Sequence, residues 1–109
     1  MARPTICRKV SSNPRGDYFK PRGIPLRELD EVVLSIDEFE ALRLADFEGM
    51  YQEDAAKEMN VSRQTFGRIV NAARHKIASV LVNCSALKIE GGNIELETKE
   101  YDDEKDSGQ

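Results

Sequence analysis

The segment "NVSRQTFGRIV", residues 60–70, gathers side chains that could bind nucleic acid. Arginine can form two hydrogen bonds with guanine and glutamine two with adenine, and each such pair gives about 1–3 kcal/mol of discrimination between bases. Arg63 and Gln64 would lie in the first turn of a helix capped by Ser62, with Arg68 one turn further along. The spacing therefore predicts a helix that presents polar and basic side chains to the edges of DNA bases.

This helix is predicted to run from Arg63 to about Val82, with two distinct faces. The apolar residues recur at steps of three and four and are Phe66, Ile69, Val70, Ala73, Ile77, Val80 and Leu81. The opposite face consists of Gln64, Gly67, Arg68, Asn71 and His75. Glycine within a helix costs about 1 kcal/mol relative to alanine. Gly67 therefore either admits a close neighbour, such as a groove wall, or is incidental on a solvated face.

Two shorter helices are predicted before the long one. The first begins at Ser35, which forms a capping box with Glu38, and ends near Gly49. Its apolar positions are Ile36, Phe39, Leu42, Leu44 and Phe47. The second runs roughly from Gln52 to Met59, and Asn60 suits a tight turn because asparagine tolerates positive φ. A short helix, a tight turn and a capped helix form the helix-turn-helix arrangement, whose second helix lies in the DNA major groove.

The rest of the chain is divided by composition. Residues 1–33 are predicted to form an extended basic arm, because proline and glycine interrupt every candidate element. Residues 34–84 form the helix-turn-helix domain, and alternating apolar residues around Gly91-Gly92-Asn93 predict a β-hairpin over 85–97. Residues 98–109 are typical of a disordered acidic tail. The predicted fold class is mainly α: a three-helix domain with an extended N-terminal arm and a short C-terminal hairpin.

Charge is strongly segregated along this chain, whose net charge is −4. Residues 1–27 carry +6, residues 28–58 carry −9, residues 59–89 carry +5 without a single acid, and residues 90–109 carry −6. A cationic surface can therefore exist within an acidic protein. The basic residues of the arm could follow a phosphate backbone or form a solvated terminus, and the sequence favours neither.

Several other classes of protein are disfavoured. No apolar run is long enough to span a membrane and no secretion signal is present, which predicts a cytoplasmic protein. Cys7 and Cys84 are isolated and are expected to be free thiols; neither has the close-spaced partner of a zinc site, so no metal and no cofactor are expected. His75 has no neighbouring acid with which to perform nucleophilic catalysis, so an enzyme is not expected.

The sequence also resembles a known family. "PRGIPLRELDEVVLSIDEFEALRLADFEGMYQEDAAKEMNVSRQTFGRIVNAARHKIASVLV", with "YFKP" at 18–21 and "ALKIEGG" at 86–92, closely resembles the prokaryotic family catalogued as domain of unknown function 134, predicted to bind DNA. Its core is similar to region four of the bacterial primary sigma factors. The resemblance implies a helix-turn-helix fold in which the helix matching Ser62 to His75 reads promoter DNA while the domain touches polymerase. Some relatives carry a further C-terminal domain like those of iron-molybdenum cofactor assembly proteins, and relatives often have a second cysteine where this chain has Ser11 and Ser12.

The function predicted from these observations is sequence-specific binding of double-stranded DNA by a transcriptional regulator, acting as a homodimer on paired half-sites. The predicted base-reading residues are Arg63, Gln64, Thr65, Arg68 and Asn71. Ser62 or Thr65 is expected to bind phosphate, and the predicted backbone contacts are Arg74, Lys76, Arg3, Arg8 and Lys9. The alternative is an adaptor that docks on a protein such as RNA polymerase through an acidic face formed by Glu38, Glu40, Asp46, Glu53 and Asp54, although plain solvation also explains those acids.

Overall fold

The computed structural model describes residues 8–10, 14–92 and 94–96, the last three by their backbone alone. It contains three α-helices, which are α1 (Ile36–Leu42), α2 (Gln52–Glu58) and α3 (Arg63–Asn83). It contains five short strands, which are β1 (Arg8–Val10), β2 (Tyr18–Phe19), β3 (Glu31–Leu34), β4 (Ala86–Ile89) and β5 (Ile94–Leu96). A 3-10 turn spans Leu26–Glu28, and a π-helical segment, Arg43–Phe47, continues α1. No helix in these ranges has the length and apolar character needed to cross a membrane.

The strands form two small sheets. In the first, β4 lies at the centre, antiparallel to β2 and parallel to β3, with Leu34 opposite Ile89. In the second, β1 and β5 pair in parallel, with Lys9 opposite Glu95. Both sheets thus join the N-terminal third of the chain to the segment that follows α3.

The apolar side chains form two neighbouring clusters, both of which include the buried stripe of α3. The first lies among the helices and consists of Ala41, Leu44, Ala55, Ala56, Met59, Phe66, Ile69 and Val70. The second joins Ala73 of α3 to the central sheet through Leu34, Leu87 and Ile89. Phe66, Met59 and Leu34 are among the largest fully buried side chains. Burial of the stripe leaves the opposite side of α3 facing outward.

The predicted helix starts are confirmed. Ser35 accepts a hydrogen bond from the Glu38 backbone N–H while the Glu38 carboxylate accepts one from the Ser35 N–H, which completes the capping box of α1. Ser62 caps α3 by accepting from the Thr65 N–H. Both caps satisfy backbone donors that a helix start leaves without partners.

The predicted β-hairpin over 85–97 is wrong, although both of its strands exist. Both edges of β4 are already used by β2 and β3, so β5 pairs with β1 instead. Gly91 and Gly92 have positive φ, but they direct the chain against the start of α1. The Gly91 carbonyl accepts from the Ile36 N–H at 2.9 Å, and a Cβ on Gly92 would lie 2.6 Å from Asp37 Oδ1.

The predicted extended arm over 1–33 is also corrected within the described residues, because β1, β2 and β3 belong to the two sheets. These strands have three, two and four residues, which is too short to display a clear alternation of apolar and polar residues. Their pairing partners lie far away in sequence. The predicted disordered tail over 98–109 lies outside the described residues.

Two apolar residues that were expected in the core are exposed. Phe47 is 83% exposed because residues 43–47 form the π segment, whose wider turns shift a side chain away from its α-helical position. Leu81 is 77% exposed. With 21 residues, α3 is about 31 Å long, whereas α1 and α2, with 7 residues each, are about 10 Å long, so the last turn of α3 extends past them.

Candidate nucleic-acid interface

The connection between α2 and α3 is a tight turn over residues 59–62. Asn60 has φ of 59°, the left-handed conformation expected for it, and the Val61 N–H donates back to the Ala56 carbonyl at 3.0 Å. Met59 is fully buried on one side of the turn and Phe66 on the other, so both helices are anchored in the same cluster. The turn therefore fixes the direction in which the first residues of α3 point.

The outward face of α3 carries no acid. Gln64, Arg68, Asn71 and His75 are all exposed, and their positions fall within about 40° of Gln64 around the helix axis. Gln64 and His75 are about 16 Å apart along that axis. The first turns of α3 thus present a continuous strip of donors and acceptors to solvent, which we call the polar strip.

The start of α3 is ordered by its own hydroxyl groups. The Ser62 hydroxyl accepts from the Thr65 N–H at 3.1 Å and donates to the Thr65 hydroxyl at 3.0 Å. Arg68 Nη2 donates to the same Thr65 oxygen at 3.3 Å. Thr65 is half-buried and therefore supports Arg68 from beside the polar strip. The backbone N–H groups of the first turn of α3 form the positive end of the helix dipole, so an anion is favoured near Ser62.

Two arginines of this region have no carboxylate partner among the described residues. Arg63 and Arg68 are exposed and take part in no ion pair there. Gly67 lies beside them and is half-buried, with Gln52 Oε1 3.5 Å from the position that a Cβ would occupy. Arg68 belongs to the polar strip, and Arg63 and Gly67 line one flank of it.

Arg74 lies on the same flank but is bound to the π segment. Its Nε and Nη2 donate to the two carboxylate oxygens of Asp46 at 3.0 and 2.8 Å. The hydrogen bonds from Arg74 lower the pKa of Asp46, and those to Asp46 raise the pKa of Arg74. Both side chains remain almost half exposed, so the pair lies at the surface. A phosphate contact by Arg74 would compete with Asp46.

The structure separates Arg8 and Lys76 from the polar strip. Lys76 lies about 120° around the axis from Gln64, and its Nζ is 2.8 Å from Glu38 Oε1. Arg8 pairs with the buried Asp37 at 3.3 Å. Lys9, by contrast, is exposed, and its N–H donates to the Met59 carbonyl at 3.0 Å, next to the turn. Arg3 and Cys7 lie outside the described residues.

The predicted acidic face is partly neutralised by cations of the same chain. Glu40 is 2% exposed and receives two hydrogen bonds from Arg43, each 2.9 Å long. These hydrogen bonds to Glu40 are also the main reason why the pKa of Arg43 is raised. Glu38 pairs with Lys76, and Asp46 pairs with Arg74. Of the five acids, only Glu53 and Asp54 are exposed without an ion pair to a described cation.

Sequence reasoning missed Asp46 as a partner of Arg74 and Glu38 as a partner of Lys76. The paired residues are 28 and 38 positions apart, so no local sequence spacing indicates that they form ion pairs. The Glu40–Arg43 pair has helical spacing of three residues and could have been recognised. Long-range ion pairs thus decide which cations of α3 face solvent alone.

The comparisons with known proteins place the chain in a family. The family model described as "Protein of unknown function DUF134" matches residues 1–97. A UPF0251 protein of Moorella thermoacetica is 56% identical over 96 residues, which cover 88% of this chain and 64% of that protein's own length. A UPF0251 protein of Thermoanaerobacter pseudethanolicus is 52% identical over 96 residues, which cover 88% of this chain and 81% of that protein. No solved structure matches the chain significantly. The chain therefore belongs to the DUF134 family of proteins of unknown function.

Proposed function

We propose that this protein binds double-stranded DNA and regulates transcription, with α3 inserted in the major groove as the second helix of a helix-turn-helix. The observation that carries the proposal is the polar strip. Arg68 within it and Arg63 beside it are exposed and have no ion pair to a described carboxylate, and the apolar stripe behind it is buried from Phe66 to Ala73. An α-helix fits the major groove, where each base pair displays a distinct pattern of donors and acceptors.

The proposed contacts fall into two groups, those to DNA bases and those to phosphates. Arg63 and Arg68 suit guanine, whereas Gln64 and Asn71 suit adenine. Ser62 and Thr65 lie at the positive end of α3 and suit a phosphate, which would fix the register of the helix on the duplex. Lys9 is held beside the turn and suits the phosphate backbone.

A single helix-turn-helix module contacts few base pairs, so we propose that two copies bind paired half-sites. Such half-sites lie about 10 base pairs apart, or a multiple of that distance, because both recognition helices must enter the same side of the duplex. Selection of bound sequences from a random duplex pool at a stated salt concentration would test this. Paired motifs at constant spacing are the expected result.

The base-reading role is tested with single-charge variants. Arg63→Ala and Arg68→Ala should each weaken binding to the selected sequence by about 5- to 100-fold and relax the preference at one base position. Arg27→Ala is the matched control, because Arg27 is exposed in the 3-10 turn and its removal changes the net charge equally. Equal losses in all three variants, or equal binding of every duplex by the unaltered protein, would contradict specific readout.

A protein-binding adaptor docking on RNA polymerase is the second candidate, and exposed aromatic residues favour it. Phe47 and Tyr51 are 83% and 82% exposed on the connection before α2. Phe47 also lies at the edge of an apolar groove of about 610 Å³, whose walls include Phe39, Leu42 and Ile77. Aromatic side chains are enriched in protein interfaces. Capture of purified polymerase that survives nuclease treatment and is lost in Phe47→Ser would favour this function.

A further inference from the structure

We propose that the acidic segment 97–109 of this chain binds the polar strip of α3 and competes there with DNA. The intramolecular contact is independent of the proposed function, whereas the competition rests on it. The segment reads "ETKEYDDEKDSGQ" and carries six acids and two lysines. While the segment occupies the polar strip, a ligand can bind there only if it carries enough negative charge to displace the segment.

Charge complementarity is the first argument. The segment has a net charge of −4, whereas residues 59–89 carry +5 and no acid. Arg63 and Arg68 project from this acid-free stretch without an ion pair to a described carboxylate. An oppositely charged segment tethered to the same chain has a millimolar effective concentration, so even a weak attraction gives a substantial bound fraction.

Several cations outside the polar strip are already paired with acids of the same chain, whereas the exposed Lys9, Arg15, Lys20, Arg22, Arg27 and Lys57 have no ion pair to a described carboxylate. Arg8 is held by Asp37, Arg43 by Glu40 and Glu48, Lys76 by Glu38, and Lys88 by Glu90. An incoming carboxylate would have to break an existing pair at each of those positions. A carboxylate that binds Arg63 or Arg68 breaks no such pair, because neither guanidinium has a described carboxylate partner.

The position at which the segment begins is the second argument. Leu96 of β5 is in register with Val10 of β1. The neighbouring Lys9 N–H lies 3.0 Å from the carbonyl of Met59, directly before the turn that leads into α3. Paired strands are about 4.8 Å apart, so the end of β5 lies within about 10–15 Å of that turn.

The segment is long enough for the contact. From Arg63 to Arg74, α3 rises about 16 Å. The 13 residues of 97–109 span up to about 45 Å when extended. The segment can therefore leave β5, pass the turn and follow the polar strip over its whole length.

The contact is tested first in the absence of DNA. A tail-neutral variant replaces its six acids by the corresponding amides at Glu97, Glu100, Asp102, Asp103, Glu104 and Asp106. Comparison of its amide NMR spectrum with that of the unaltered chain should show shifts concentrated at residues 62–75 of α3, and those differences should fade in high salt. The control variant neutralises six exposed acids elsewhere, which are Asp17, Glu28, Asp30, Glu53, Asp54 and Glu58.

The competition is then tested by DNA affinity at low salt. If the segment occupies the strip for most of the time, the tail-neutral variant should bind a short duplex about three- to tenfold more tightly than the unaltered chain, because the free fraction of the strip scales the apparent affinity. The control has the same net charge as the tail-neutral variant and should gain clearly less. A synthetic peptide of residues 97–109 added in excess should reduce binding by the tail-neutral variant.

The outcomes separate the two proposals. Amide shifts absent from α3, or equally large in the control, overturn the tail contact whether or not the protein binds DNA. Shifts on α3 together with no binding to any duplex support the tail contact and overturn the proposed function. Shifts on α3 with equal gains in DNA affinity for both variants overturn the competition.

Discussion

Gly67 lies on the flank of α3 beside Arg63 and Arg74, and the fold does not require a glycine there. A Cβ at this position would meet only Gln52 Oε1, at an ordinary contact distance of 3.5 Å. Gly67→Ala should therefore increase the free energy of unfolding by about 1 kcal/mol, because alanine favours the helix. If the groove wall passes close to this flank, the same variant should bind DNA about fivefold or more weakly, which corresponds to a loss of about 1 kcal/mol.

Urea unfolding and a binding titration on the same preparation measure both effects. Ala72→Gly is the reciprocal control, because Ala72 is exposed on the other side of α3; it should lose stability while leaving affinity unchanged. A Gly67→Ala protein that is more stable and binds DNA as tightly as before would show that DNA does not need a glycine here in order to approach α3 closely.

The Asp46–Arg74 pair gives a dependence on pH at the residue scale. Hydrogen bonds from Arg74 lower the pKa of Asp46 below its ordinary value of 3.8, so the folded state favours the carboxylate. The resulting stabilisation is present above that value and is lost as the pH falls through the lowered pKa. Because both side chains are almost half exposed, it amounts to about 0–1 kcal/mol.

Asp46→Asn tests this pair by urea unfolding at two pH values. The variant should be less stable than the unaltered chain at pH 6, by up to about 1 kcal/mol, and the difference should shrink as the pH is lowered below 3.8. A difference of the same size at both pH values would mean that the carboxylate charge is not what stabilises this contact.

At the scale of elements, Gly91 and Gly92 offer a matched comparison. Both have positive φ, 75° and 103°, and both follow β4. An added Cβ meets nothing within 4 Å at Gly91, whereas at Gly92 it would lie 2.6 Å from Asp37 Oδ1 and 3.1 Å from Ser35 Cβ. Gly91→Ala should cost about 1 kcal/mol through backbone strain alone, and Gly92→Ala about 2–4 kcal/mol because the buried Asp37 carboxylate must also move.

Thermal unfolding of the two alanine variants measures the difference. The Gly92→Ala protein should melt at the lower temperature, and its N-terminal turn of α1 should lose protection from hydrogen exchange. Equal melting temperatures would mean that Gly92 does not need to approach α1 closely.

The elements that could be predicted from sequence are those with local causes. The caps at Ser35 and Ser62 and the positive φ of Asn60 depend on neighbours within four residues, and all three are confirmed. The buried stripe of α3 is confirmed from Phe66 to Ala73 for the same reason. Helix periodicity failed at Phe47, because sequence spacing does not reveal a π segment.

Strand pairing could not be predicted, because it depends on residues far apart in the chain. The alternation after α3 marked β4 and β5 as strands but could not show that β4 would pair on both sides with the N-terminal region. The candidate site shows the same division. The positions of Arg63, Gln64, Arg68 and Asn71, and that of Lys76 away from them, follow from helical spacing, whereas the ion pair that holds Lys76 depends on Glu38, 38 residues away.

At the scale of the whole molecule, the fold determines which cations are paired with acids and which remain unpaired at the surface. Two cations pair with acids of α1, Arg8 with Asp37 and Lys76 with Glu38. Arg68 in the polar strip and Arg63 beside it remain without a described carboxylate partner. A molecule with a net charge of −4 can in this way retain a local cationic surface.

Salt dependence tests whether this local surface or the net charge governs the proposed binding of DNA. Lys9 contacts a phosphate and Arg63 and Arg68 add positive charge within the groove, about three cations per protomer, so the logarithm of the binding constant per protomer should fall against the logarithm of salt concentration with a slope of about −3. Lys9→Ala should weaken binding to every sequence alike and make this slope shallower by about one, whereas Arg27→Ala should leave the slope unchanged. Binding governed by net charge would respond equally to the two variants, since each removes one positive charge.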